Sequence, residues 1–142
     1  MVMIALGSDH GGFEIKEAIK TYLSDKGIPF IDFGTDSLES VDYPVYARKV
    51  CDSITRGESE LGILCCGTGI GMSMAANKHK GIRAAVLNEE FSAEATRRHN
   101  NANILCLGGR IIDGKKAVKL TEIFINTPFD GGRHTKRIGM FE

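Results

Sequence analysis

The stretch Leu61-Gly62-Ile63-Leu64-Cys65-Cys66-Gly67-Thr68-Gly69-Ile70-Gly71 constrains the fold more than any other part of the chain. Its first six residues are mostly apolar and long enough for a strand buried on both faces. They run into a loop with glycine at every second position, and residues 72–77 then read as a helix. Strand, glycine loop and helix in that order bring unpaired backbone N–H groups and a helix N-terminus to one point, which favours negative charge. The strand also ends in a thiol, so Cys66 stands as a potential base or nucleophile beside a potential oxyanion hole. Three plainer readings compete with that one. A cysteine at a strand end is often a small core residue. A glycine turn after a strand can be no more than a tight connection. A nucleotide loop lacks here the lysine and hydroxyl of a P-loop, and Met72 replaces the third glycine of G-x-G-x-x-G. Glu89, however, stands where a ribose-binding acid belongs.

The rest of the chain repeats the same grammar. Residues 2–6 form an apolar first strand closed by Gly7-Ser8-Asp9-His10-Gly11-Gly12, and Ile15, Ala18, Ile19, Tyr22 and Leu23 then share one helical stripe. Residues 30–33, 82–87 and 104–107 are further strands. Asp42, Asn88 and Asp113 stand where helices need N-caps, with Pro44 tolerated in the first turn after Asp42. Five short apolar strands alternating with helices predict an α/β fold, a parallel sheet with helices on both faces. Right-handed crossovers put every strand's C-terminal end on one edge, where such sheets bind ligands. Asp9 and His10, residues 66–71 and residues 108–110 follow strands and are expected there.

Composition narrows the function. With 142 residues the chain is expected to be one domain, residues 1–142, with residues 129–142 as a tail rich in glycine and basic residues. Its 18 basic and 18 acidic side chains cancel, which gives no reason to expect a nucleic-acid or membrane partner. No apolar run approaches the roughly 20 residues of a membrane span, and the start of the chain lacks the basic segment of a signal peptide. A cytoplasmic protein is expected. The four cysteines have no C-x-x-C spacing, so neither a zinc site nor a disulfide framework is indicated, and no metal and no cofactor is expected.

His99 falls at the end of its helix, where the dipole suits a proton donor. Arg133 and Arg137 are four apart, so one helical turn aims both guanidinium groups the same way, as a phosphate or carboxylate requires. Taken alone, His99 is a surface histidine and the arginines a solvated basic tail. Taken together, an anion loop, a thiol, a histidine acid, a carboxylate and an arginine pair form the inventory for proton abstraction beside a carbonyl through an enediolate.

Gly7-Ser8-Asp9-His10-Gly11-Gly12, Asp42-Tyr43-Pro44, Cys66-Gly67-Thr68-Gly69-Ile70-Gly71, Ala75-Ala76-Asn77-Lys78, Gly81-Ile82-Arg83-Ala84, Arg98-His99-Asn100-Asn101-Ala102-Asn103 and Gly131-Gly132-Arg133-His134 together resemble the type B ribose-5-phosphate isomerases, over nearly the whole chain. The resemblance implies a metal-free, cofactor-free interconversion of ribose 5-phosphate and ribulose 5-phosphate on a three-layer Rossmann-like fold with a five-stranded parallel sheet. It implies that Cys66 moves the proton between C1 and C2, that His99 helps open the furanose ring, and that Gly67, Thr68, Gly69, Ile70 and Gly71 hold the oxyanion, with Thr68 also touching substrate. It places Asp9 at the sugar oxygens and Tyr43 along the sugar. His10, Arg133 and Arg137 fall at the phosphate end, with Asn100 and Arg110 as further contacts. It further implies a homodimer, or a tetramer of dimers, with the active site between subunits.

Two features depart from the family pattern: Cys65 sets a second thiol beside Cys66, and only five residues follow Arg137. Within the family, isomerases of allose 6-phosphate or galactose 6-phosphate are the alternatives, and retention of both Cys66 and His99 favours the ribose enzyme. A non-catalytic sugar-phosphate-binding module would keep the glycine loop and the arginines but would need neither of those two residues. Because side chains alternate along a strand, Cys65 is expected in the core and Cys66 at the loop.

Overall fold

The computed structural model describes residues 2–142. In chain order it contains β1 (Ile4–Ser8), a 3-10 turn (His10–Gly12), α1 (Phe13–Asp25), β2 (Phe30–Asp32), α2 (Tyr43–Thr55), β3 (Leu61–Cys66), α3 (Ile70–Ala76), β4 (Ala84–Val86), α4 (Glu90–Asn100), β5 (Ile104–Gly108), α5 (Gly114–Asn126) and α6 (Arg133–Gly139). The strands form one parallel sheet in the order β2-β1-β3-β5-β4. The expected α/β architecture is therefore present. The crossover from β1 to β2 goes one way and the return to β3 the other, so the sheet's direction reverses between β1 and β3. That reversal opens a crevice at their C-terminal ends.

Strand parity divides the core. Ile4, Leu6, Ile63, Cys65, Leu105 and Leu107 point to the face covered by α1, α4 and α5. Ala5, Leu64, Cys66, Ile104 and Cys106 point to the face covered by α2 and α3. The alternation separates Cys65 from Cys66 as the pleat requires.

Several boundaries differ from the sequence reading, each for a local reason. β1 extends to Ser8 because its ladder with β3 continues to the Ser8–Cys65 pair. β4, at the sheet edge with one neighbour, shortens to three residues. Helix α3 starts at Ile70, two residues earlier than expected. Asp113 caps α5, accepting from the Lys116 N–H at 2.8 Å, as expected. Asp42 precedes α2 without a side-chain cap bond. Glu89 takes the capping role expected of Asn88, accepting from the N–H groups of Phe91 at 3.0 Å and Ser92 at 2.9 Å. Those bonds occupy the carboxylate that a nucleotide loop would need for its ribose. The tail forms α6, anchored by buried Ile138, with Glu142 paired to Arg83 at the chain's end.

One buried charge clamps α1 to β2. Lys16 is 1% exposed, and its ammonium donates to both oxygens of Asp32 at 2.9 and 2.8 Å, while Lys20 reaches the same carboxylate at 2.9 Å. Burial pushes the Asp32 carboxyl up, but hydrogen bonds from Lys16, Lys20 and the Gly34 N–H outweigh it and hold it below its ordinary value. A carboxyl depressed in the folded state contributes stability that is present above its unfolded pKa and lost as pH falls through the folded value. Asp32→Asn is therefore expected to destabilise the protein near pH 7. The loss should fall somewhat below the roughly 3–5 kcal/mol of a broken fully buried pair, because Glu17 remains 3.3 Å from Lys16. Urea midpoints should show the gap between variant and parent closing below about pH 4; a pH-independent gap would mean that the carboxylate charge is not what holds the two elements.

Candidate active site

The C-terminal ends of β1, β3 and β5 build one cluster. Asp9 follows β1 and is 7% exposed; one of its carboxylate oxygens accepts from the N–H groups of Gly11 at 2.8 Å and Gly12 at 3.2 Å. Asp9 thereby caps the turn that follows β1 through one of its two carboxylate oxygens. The Asp9 N–H donates to the Cys65 carbonyl at 3.2 Å, which joins the end of β1 to the end of β3. His10 accepts from the Val41 N–H through Nδ1 at 3.3 Å, which leaves Nε2 to donate to an incoming group.

Cys66 closes β3 with 5% of its surface exposed, and the Gly69 N–H points at its sulfur from 3.1 Å. Gly69 adopts φ +81°, a left-handed turn that folds the loop back over the thiol. The Thr68 hydroxyl accepts from the Ile70 N–H at 3.2 Å. Gly71 lies under the Tyr43 ring, where a Cβ would come within 2.7 Å of Tyr43 Cζ. The β3–β5 ladder continues past both strand ends, with Gly109 donating to the Cys66 carbonyl at 2.8 Å and Arg110 to that of Gly67 at 2.9 Å. This register sets the Arg110 guanidinium against Gly67. Beside it opens a cavity of about 620 Å³ that His10, Gly11 and Arg110 help to line.

The other thiols are inert by position. Cys51, Cys65 and Cys106 are fully buried. Burial pushes the Cys51 thiol up to about 12 and drives those of Cys65 and Cys106 well up.

His99, Asn100, Arg133 and Arg137 stand apart from this cluster within the chain. Helix α4 starts beside the C-terminal ends of the strands and runs back toward their N-terminal ends. Just past it, the Asn103 carbonyl accepts from Gly62 at the start of β3, and the Asn103 N–H donates to Arg83 ahead of β4. Eleven residues of helix span roughly 16 Å, so His99 and Asn100 lie near the opposite edge from Cys66. Helix α6 packs on this end of α4; it carries Arg133 and Arg137 four apart on one face, both exposed and without an ion-pair partner among the described residues. The rings of His99 and His134 stack with centroids 4.6 Å apart. His134 and Asp130 were not singled out in the sequence as ligand-type residues near His99. Their spacing of four residues was legible, but the contact with α4 that brings His99 to them was not.

Comparisons with known proteins place the chain in a family. Residues 4–141 match the family described as Ribose/Galactose Isomerase. The chain is 44% identical to ribose-5-phosphate isomerase B of Escherichia coli over 97% of its own length and 93% of that protein's. It superimposes on a ribose 5-phosphate isomerase from Thermotoga maritima with a TM-score of 0.96 and 55% identity, covering 98% of this chain and 96% of that one. A ribose-5-phosphate isomerase B from Mycoplasma genitalium, solved with bound ribulose-5-phosphate, gives a TM-score of 0.92 at 39% identity, covering 97% and 92%.

Exposure and burial order the four thiols for reaction. Iodoacetamide is expected to label Cys66 first, and peptide mass spectrometry of native protein should find Cys51, Cys65 and Cys106 unmodified. Labelling of Cys65 ahead of Cys66 would place the wrong thiol at the loop.

Proposed function

The chain belongs to the ribose/galactose isomerase family, and on that premise we propose that it interconverts ribose 5-phosphate and ribulose 5-phosphate by shuttling one proton between C2 and C1. The observation that carries the reading is the Cys66 sulfur, enclosed by the glycine loop and facing the Gly69 amide at 3.1 Å. The relative with bound ribulose-5-phosphate supports the same substrate.

The chemistry follows from the cluster. His99 protonates the ring oxygen as the C1–O bond breaks, and the anomeric hydroxyl gives its proton to water, which exposes an aldehyde at C1. The Cys66 thiolate removes the proton from C2, and the electron pair moves into an enediolate whose oxygen is held by amides of residues 67–71. The sulfur returns that proton to C1 while the O2 proton passes to O1, which leaves the ketone at C2. Asp9 fixes the sugar oxygens, Tyr43 lines the chain of the sugar, and Thr68 and Asn100 add contacts. His10 and Arg110 meet the phosphate together with Arg133 and Arg137.

The separation of His99 from Cys66 is reconciled by a homodimer. Apolar side chains ring the loop and stand in water in the single chain: Tyr43 is 38% exposed, Ile70 49%, Met74 66% and Val86 41%. A second copy seated on this patch by a two-fold axis brings its α4–α6 end over the loop, supplying His99, Asn100, Arg133 and Arg137 to each site. The reading also places the enzyme in the cytoplasm. Its four cysteines are free, and no helix among the described residues is long and apolar enough to cross a membrane.

Cys66→Ala is expected to lower kcat for ketose formation from ribose 5-phosphate by at least about 100-fold while the thermal midpoint holds. Co-expression of Cys66→Ala with His99→Asn should restore about a quarter of parental activity, since a mixed dimer has one intact site of two and forms half the time. No recovery in an isolated mixed dimer would refute the shared site. Arg137→Ala should raise KM about tenfold or more with little change in kcat, the loss of one charge-assisted contact. An unchanged KM would make α6 a solvated basic face.

A further inference from the structure

His99, Asp130 and His134 are the one group of three metal-ligating side chains that converges among the described residues. Their ligand atoms lie within 4.8 Å of one another. His99 ends α4 and His134 begins α6, with rings stacked at 4.6 Å and 20° between planes. The Asp130 N–H donates to the Arg98 carbonyl at 3.0 Å, which ties the segment ahead of α6 to the last turn of α4 and sets the carboxylate beside both imidazoles.

Two imidazoles and one carboxylate make three protein ligands with an open fourth position, a donor set suited to zinc. Magnesium and calcium prefer oxygen donors, whereas two of the three donors here are imidazole nitrogens, so the set favours zinc over either. Zinc at about 2.0–2.2 Å from each donor draws the three ligand atoms closer than they stand. His99 and Asp130 are exposed and reach that spacing by side-chain rotation. Asp130 leaves its exposed pair with Arg98 at 3.2 Å, and Arg98 keeps Glu94 at 3.4 Å. The cations nearby are Arg98, Arg133 and Arg137, and they weaken the hold on any metal. The ion is therefore a passing occupant and not a resident one.

We propose that His99, Asp130 and His134 form an inhibitory site for a borderline divalent transition-metal ion such as Zn²⁺, which takes His99 out of ring opening while it is bound. The inhibition rests on the isomerase reading; the binding does not.

Zinc titrated calorimetrically into chelator-washed protein should bind one ion per chain. Affinity should fall at least about tenfold in Asp130→Asn and in His134→Ala and persist in Cys66→Ala. In turnover of ribose 5-phosphate, zinc should inhibit reversibly, a chelator should restore full rate, and magnesium should do nothing. The inhibiting concentration, measured against each variant's own zinc-free rate, should rise at least about tenfold in Asp130→Asn. Zinc binding lost in Cys66→Ala but kept in Asp130→Asn would assign the ion to the thiol and overturn the proposal. Stoichiometric binding at the cluster with unimpaired turnover would overturn the inhibitory role. A protein that binds zinc as described but does not isomerise ribose 5-phosphate would overturn the functional reading instead.

Discussion

Three loops meet backbone to backbone at the C-terminal edge of the sheet, and the site depends on that approach. A Cβ on Gly12 would lie 2.3 Å from the Cys65 carbonyl carbon, one on Gly109 2.3 Å from the Gly11 carbonyl oxygen, and one on Gly108 2.6 Å from the Thr68 carbonyl carbon. Neighbours that close are backbone atoms, which cannot swing aside as a flexible side chain can. The glycines therefore let the turn after β1, the loop after β3 and the turn after β5 share one small volume. Asp9, Cys66 and Arg110 become neighbours although more than forty residues separate each from the next. The same contact stiffens the cluster, because the amides that hold Asp9 and face Cys66 belong to the packed segments themselves.

Topology then limits what one chain can place there. In a parallel sheet every crossover helix runs against the strands, so a residue at the end of such a helix lies near the edge opposite the strands' C-terminal ends. Cys66 ends a strand and His99 nearly ends a helix. A base and an acid chosen from those two positions cannot serve one site within a single copy, whatever their side-chain conformations. Two copies related by a two-fold axis remove the conflict without altering the fold, because the axis carries one copy's helix ends to the other's strand ends.

Much of this was legible in the sequence because it depends on local pattern. Five apolar runs gave the strands, and strand parity separated Cys65 from Cys66 before any contact was known. The motifs carried the family, and with it the candidate residues. What escaped depends on distant partners. Lys16 reads as an exposed residue beside an apolar stripe, and nothing local shows that Asp32 waits sixteen residues on to admit it into the interior. Asn88 has good capping chemistry, but Glu89 occupies the N-cap position that the short edge strand leaves, and its longer side chain reaches back to the first turn. That the tail folds as a helix was not legible, because its buried residue, Ile138, belongs to a helix that packs on α4, far away in sequence.

In the proposed shared site, the exposure of His99 is also its weakness. A histidine that acts on substrate in another subunit must stand clear of its own core, so it cannot be shielded by packing. Here its ring stacks on that of His134, and a backbone hydrogen bond to α4 keeps Asp130 close to both. Two imidazoles and a carboxylate held together in water are also what a borderline metal ion seeks. The arginines proposed to draw a sugar phosphate toward this end of the molecule also repel a cation from it. The charges of Arg98, Arg133 and Arg137 thus work against a permanent metal site at His99, and those of Arg133 and Arg137 fit the anionic substrate proposed for the enzyme.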